Sequence, residues 1–162
     1  MIEQKEKEKV EIEKLDLIEF STEALTSFPL NYENESVKEI SCIHKLEYVP
    51  SRARIPLFEE FYRILVPEGK ISIIVCYWSS PRAIQDPMYE FPTWCEQSFL
   101  YFNKDFRSTN LLPKIKCHFD FTFGYQADQE VAARSQETQS FWTKRYLNAV
   151  NDLQLVMTKK DL

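Results

Sequence analysis

The chain has 162 residues, 44% of them hydrophobic and 28% charged, with a net charge of −5. That length suits one globular domain that can bury a core without metal or disulfide staples. The acidic balance argues against general polyanion binding, because backbone contacts to nucleic acid need clustered Lys and Arg. Only two glycines occur, Gly69 and Gly124, too far apart to share a loop, which excludes a glycine-rich phosphate cradle.

The charged run MIEQKEKEK (1–9) predicts a solvated tail ahead of a single domain over 10–162. It lacks the apolar segment of a secretory leader, and no apolar run approaches the ~18 residues of a membrane span. The four cysteines show no CxxC spacing, and three lie within apolar runs. Reduced, buried thiols in a cytoplasmic protein are therefore expected, and with His44 and His118 as the only histidines no metal site is expected.

In VEIEKLDLIEF (10–20) the apolar residues are spaced by two, which fits a half-buried strand; a charged helical start is the competing reading. Ser21 and Thr22 then resemble a helix start that Phe28-Pro29 would end. SVKEISCIH (36–44) reads as a buried strand over 37–43. Pro50 and Ser51 open a predicted helix over 52–65, with Ile55, Phe58, Phe61, Tyr62 and Leu65 as its apolar stripe and Val66–Gly69 as its stop. KISIIVCY (70–77) is apolar almost throughout, as for a strand covered on both faces. A loop to about Pro92 follows, and Thr93 is placed to cap a helix over 94–103. IKCHFDFTFGY (115–125) alternates as a strand. A long helix is predicted over 128–149, its buried side drawn from Val131, Phe141, Trp142, Tyr146 and Val150. DLQLVMTKK (152–160) closes the chain as a strand whose direction relative to its predecessor the pattern leaves open. Strand–helix–strand units of this kind build a parallel α/β sheet.

The runs NESVKEI (34–40) and IHKLEYV (43–49) resemble the region of the fourth strand of class I S-adenosylmethionine-dependent methyltransferases. FYRILVPEGK (61–70) resembles the turn before that family's fifth strand, and YWSSPRAIQDP (77–87) is similar to a subgroup found in phages and bacteria. The likeness spans roughly residues 28–160, the C-terminal part of the family's sequence. It implies a truncated Rossmann-like sheet of parallel strands ending in an antiparallel strand pair, and S-adenosylmethionine as cofactor. The family's first strand, glycine loop and ribose-binding acid belong before Phe28, where residues 1–27 carry no glycine. The family's adenine-contacting Asp falls on Ala24, its His on Tyr48, and the subgroup's Asp-Pro-Thr-His becomes Asp86-Pro87-Met88-Tyr89. The resemblance thus implies either a methyltransferase of small divergent type, a pseudoenzyme kept as a binding or regulatory subunit, or a fragment of a once complete enzyme.

Ligands of open α/β sheets bind outside the carboxyl ends of the strands. His44, Asp86 and Tyr89 are the candidate catalytic residues, His44, Glu47 and Tyr77 the candidate cofactor contacts, and Arg82, Gln85 and Trp94 the candidate substrate contacts. Each has a competing structural role: a His–Glu pair satisfying itself, an Asp-Pro turn, or core packing for the aromatic stretch from Tyr89 to Phe102. Loss of the first strand would leave the 37–43 strand with an open edge. Either VEIEKLDLI pairs with it, or a second copy or a partner protein does.

Overall fold

The computed structural model describes residues 15–19 and 24–162. The expectations for the 1–9 tail, for residues 10–14 and for the Ser21–Thr22 helix start lie outside the described residues.

Five strands form one sheet: β1 (Leu15–Glu19), β2 (Val37–Ile43), β3 (Leu65–Cys76), β4 (Phe119–Ala127) and β5 (Val150–Lys159). Their order is β1-β2-β3-β5-β4. β1, β2 and β3 run parallel, and β5 is antiparallel to both of its neighbours. This is the mixed sheet implied by the resemblance, with a reversed strand inserted between β3 and β4. It also fixes the direction of the last two strands. β1 pairs in register with β2, Leu15 opposite Val37 and Ile18 opposite Ile40. Both sides of the 37–43 strand are therefore taken, by β1 and by β3, and its edge is not open to a second copy or a partner. Among the described strands the outer edges belong to β1 and β4.

Helix α1 (Ser51–Ile64) turns Arg54, Leu57, Phe58, Phe61 and Ile64 inward, a stripe of three- and four-residue steps. Ile55, expected in that stripe, is exposed, because the buried face centres on Phe58 and Phe61. β3 begins directly at Leu65, and the expected stop at Val66–Gly69 is a turn-like bulge within it: Leu65 pairs with Val37 but Lys70 with Glu39, and Glu68 between them lies in the left-handed region (φ 61). Gly69 is required there: a Cβ would stand 2.8 Å from the Val66 carbonyl oxygen and 3.1 Å from that of Lys38.

The expected 94–103 helix is two pieces, α2 (Glu96–Leu100) and α3 (Lys104–Thr109). Cys95, rather than Thr93, caps the first, and the Asn103 side chain accepts from the Phe106 amide to start the second. The strand expected from 115 starts at Phe119. The buried Arg107 guanidinium donates to the carbonyls of Ile115 and Cys117, which are thus withheld from a strand ladder. The long 128–149 helix is likewise split into α4 (Gln129–Ala132) and α5 (Gln136–Arg145), because the Ser135 side chain caps a new start. No residue of α5 is buried: Phe141 and Tyr146 are exposed, and only Val131 of α4 and Val150 of β5 keep the inward positions assigned to them.

The core lies between α1, α2 and one face of the sheet. Phe58 stacks on Phe102 with ring centroids 3.9 Å apart, and Phe61, Phe99 and Phe119 meet it edge-on. All four cysteines are free, and Cys42, Cys76 and Cys117 are buried. No helix among the described residues is long and apolar enough to cross a membrane.

Candidate functional site

The carboxyl ends of β2 and β3 and the start of β5 converge on one cluster. His44 follows β2 in the left-handed region (φ 49), a conformation that costs a non-glycine residue energy and turns its ring back over the strand ends. The next turn, a 3-10 segment at Leu46–Tyr48, carries Glu47 inward to 4% exposure. Glu47 Oε1 accepts from the Cys76 amide at 2.7 Å and lies 3.3 Å from His44 Nδ1. Cys76 Sγ lies 3.8 Å from the same nitrogen. On the ring's other side, Nε2 is 4.0 Å from Asp152 Oδ2. Asp152 is held by Arg82, whose Nη1 donates to both carboxylate oxygens at 2.9 and 2.7 Å. Glu47 Oε2 is buried and has no hydrogen-bond partner.

Burial in this cluster disfavours further negative charge. The Cys76 thiol is pushed up to about 11, first by desolvation and then by Glu47, with Arg82 working the other way. Tyr89 touches Cys76, and its hydroxyl is raised well above the usual phenol value by desolvation and then by Cys76 and Glu47. A cavity of about 10 Å³ separates Glu47, Cys76, Ala83 and Tyr89. One donor atom each from His44, Glu47 and Cys76 lies within 4.8 Å of the others, so a metal ion has three ligands within reach here, although the sequence reading expects none.

The remaining candidates fall elsewhere. Asp86 accepts from the Tyr48 hydroxyl at 2.9 Å and from the Met88 amide at 2.9 Å, the Asp-Pro turn of its competing reading. Tyr48, where the resemblance implies a His, packs its ring edge-on against Tyr89. Gln85 is exposed. Trp94 is a core residue: it stacks on Phe99, lies under the Arg54 guanidinium and donates Nε1–H to the Leu46 carbonyl. The density of its aromatic neighbourhood favours that placement.

Tyr77 belongs to a second feature, a groove of about 530 Å³ between the ends of β3 and β4 and helix α5. Its hydroxyl donates to Glu96 Oε1 at 3.3 Å, and the Tyr125 hydroxyl donates to the same oxygen at 2.8 Å. Trp78 and Lys144 line its sides, and Glu96 Oε2 has no partner. Sequence reasoning missed Cys76, Asp152, Glu96 and Tyr125. Asp152 left no trace either, because it stands in phase with Gln154 and Val156, on the polar side of the alternating last strand.

No protein-family model matches the sequence, and neither does any curated protein. Solved structures do. A S-adenosylmethionine-dependent methyltransferase from Archaeoglobus fulgidus superposes with a TM-score of 0.55 at 15% identity, over 85% of this chain and 64% of that one. A chain of the complex between the Haloferax volcanii Trm112 methyltransferase activator and a protein assigned as a methyltransferase superposes with a TM-score of 0.52 at 16% identity, over 85% and 59%. The chain therefore has the Rossmann-like methyltransferase fold, and it spans less than two thirds of the length of these structural neighbours.

Proposed function

We propose that this chain is a S-adenosylmethionine-dependent methyltransferase-like protein that keeps the acceptor side of the fold and has a reduced donor side. The observation that carries the reading is the reversed β5 inserted between β3 and β4, which sets the β3 end, the β4 end and α5 around one groove. In that groove Tyr77, Tyr125 and Trp78 offer aromatic faces beside the half-satisfied Glu96 carboxylate, a setting suited to a cationic or amine-bearing acceptor. His44 and Tyr89 border the adjacent strand ends, while Asp86 and Trp94 support the walls.

The residues present fit the methyl donor poorly. Gly69 is committed to the start of β3 and Gly124 lies within β4, so neither glycine stands at the carboxyl end of β1 or β2. No reaction step is therefore assigned to the donor. Titration calorimetry with S-adenosylmethionine and S-adenosylhomocysteine tests the reading. Saturable heat supports it; a folded chain giving none at millimolar ligand overturns donor dependence.

The glycine positions favour a second reading, a catalytically inactive binding or regulatory subunit. The Haloferax volcanii neighbour, seen in complex with an activator, is consistent with completion by a partner. The open outer edges of β1 and β4, and not β2, would then receive it.

A further inference from the structure

We infer that His44, Glu47 and Cys76 form a binding site for a zinc-class divalent metal ion, with Asp152 as the carboxylate that orients the histidine. A tetrahedral zinc ion, with bonds of about 2.0 Å to nitrogen and oxygen and about 2.3 Å to sulfur, sets its donors about 3.3–3.8 Å apart. His44 Nδ1 stands 3.3 Å from Glu47 Oε1 and 3.8 Å from Cys76 Sγ, separations of that size. A nitrogen–carboxylate–sulfur set selects borderline-soft transition metals over calcium or magnesium, which take oxygen ligands.

Two independent observations point to a cation. Glu47 is 4% exposed, and while its Oε1 is fixed by the Cys76 amide, its Oε2 is buried with no partner. A buried carboxylate oxygen left unsatisfied is costly, and a cation held by Glu47 through both carboxylate oxygens removes that cost. The second concerns the far side of the ring. Metal-bound histidines usually give their other N–H to a carboxylate that fixes the tautomer. His44 Nε2 lies 4.0 Å from Asp152 Oδ2, an ion-pair separation longer than a hydrogen bond, and Asp152 is locked in place by Arg82. The three ligands come from the ends of two parallel strands and the turn between them, so the fold prearranges them. The small cavity beside Tyr89 leaves the fourth position on the Glu47–Cys76 side.

The test needs no methyl donor, so its outcome is separate from that of the donor titration. Zinc is titrated into the whole chain against a chromophoric chelator, and cobalt(II) is used as the spectroscopic probe. One equivalent is expected to bind, with the intense visible bands of a tetrahedral ion and a thiolate-to-cobalt band in the near ultraviolet. Cys76→Ser removes the thiolate band. His44→Ala, at a position one third exposed and therefore unlike Cys76 in its demand on packing, removes one-to-one binding. Asp152→Asn weakens binding about 10–100-fold and keeps the band. Zinc raises the melting temperature of the wild type and not that of His44→Ala. Absence of a thiolate band in the wild type, or its survival in Cys76→Ser, overturns the site.

Discussion

On one face of the sheet, Ile71, Ile73 and Val75 of β3 stand opposite Met157, Leu155 and Leu153 of β5, and all six are buried. On the other face the alternate residues of the same strands are Ser72 and Ile74 opposite Val156 and Gln154, with Thr122 and Gly124 of β4 beyond them. Here Val156 is 39% exposed and Ile43, at the end of β2, 49%. Successive residues of a strand point to opposite faces, so a single step along β5 crosses from core to surface. Parallel strands ordinarily have both faces covered by helices. In this protein the described helices put their apolar faces on one side only, and the polar residues of the other side, such as Ser72 donating to Glu39 at 3.1 Å, satisfy one another. The sheet has the Rossmann-like fold of the structural neighbours; the amphipathic strands are those of a layer with one solvated face.

The covered face carries the stability, and the largest effect is expected at its centre. Phe58 is fully buried and makes ring contacts with Phe61, Trp94, Phe99, Phe102 and Phe119. Phe58→Ala removes that hub and leaves a cavity among rigid rings, at a cost of about 3–5 kcal/mol in urea-melt stability. A loss below about 1 kcal/mol would mean that the aromatic cluster is not packed as described.

The two faces are compared most directly by neighbouring residues of β5. Leu155→Ala on the covered face is expected to cost about 2–5 kcal/mol. Val156→Thr on the other face, which keeps the β-branch, is expected to stay within about 0.5 kcal/mol. Equal losses at the two positions would show that something covers the outer face in solution.

The fold was largely legible where burial alone sets the pattern. β2 occupies the expected 37–43, and α1 differs by one residue at each end, because long apolar stripes of fixed period leave little choice. KISIIVCY was half legible: Ile71, Ile73 and Val75 are covered, but Ser72 and Ile74 face the other way and are half-buried. The failures lie where a side chain takes over backbone groups. Arg107 delays β4 by taking the carbonyls of Ile115 and Cys117, Asn103 and Ser135 restart helices, and α5 is helical without burying anything. The Arg107 contacts depend on how the following loop folds back, which the pattern does not encode, whereas the Asn103 and Ser135 caps reach only three residues along and were local signals passed over. At the site, the three-residue step from His44 to Glu47 was visible because it is local. Cys76 and Asp152 join it only through the β2–β3–β5 pairing, and Cys76 in an apolar strand looks like any small core residue.

A further small effect is expected at the entrance to β2, away from both faces. Glu60 accepts from Arg63 through both carboxylate oxygens, at 2.9 and 2.8 Å, and from the Leu30 amide at 2.9 Å. Arg63 in turn holds the carbonyls of Leu30 and Tyr32, so the pair ties the segment before β2 to α1. The hydrogen bonds from Arg63, against some desolvation, hold the Glu60 carboxyl below its ordinary value of 4.5. Below that pH the unfolded chain takes up the proton first. The contribution of Glu60 is therefore complete above about pH 4.5 and is lost as the pH falls through the depressed folded value. Because the pair is partly solvated, its worth stays below about 1 kcal/mol. Melting temperatures of the wild type and Glu60→Gln, compared at neutral pH and again near pH 3, should converge in acid. A gap that widens in acid would show that Arg63 does not stabilise the ionised carboxylate.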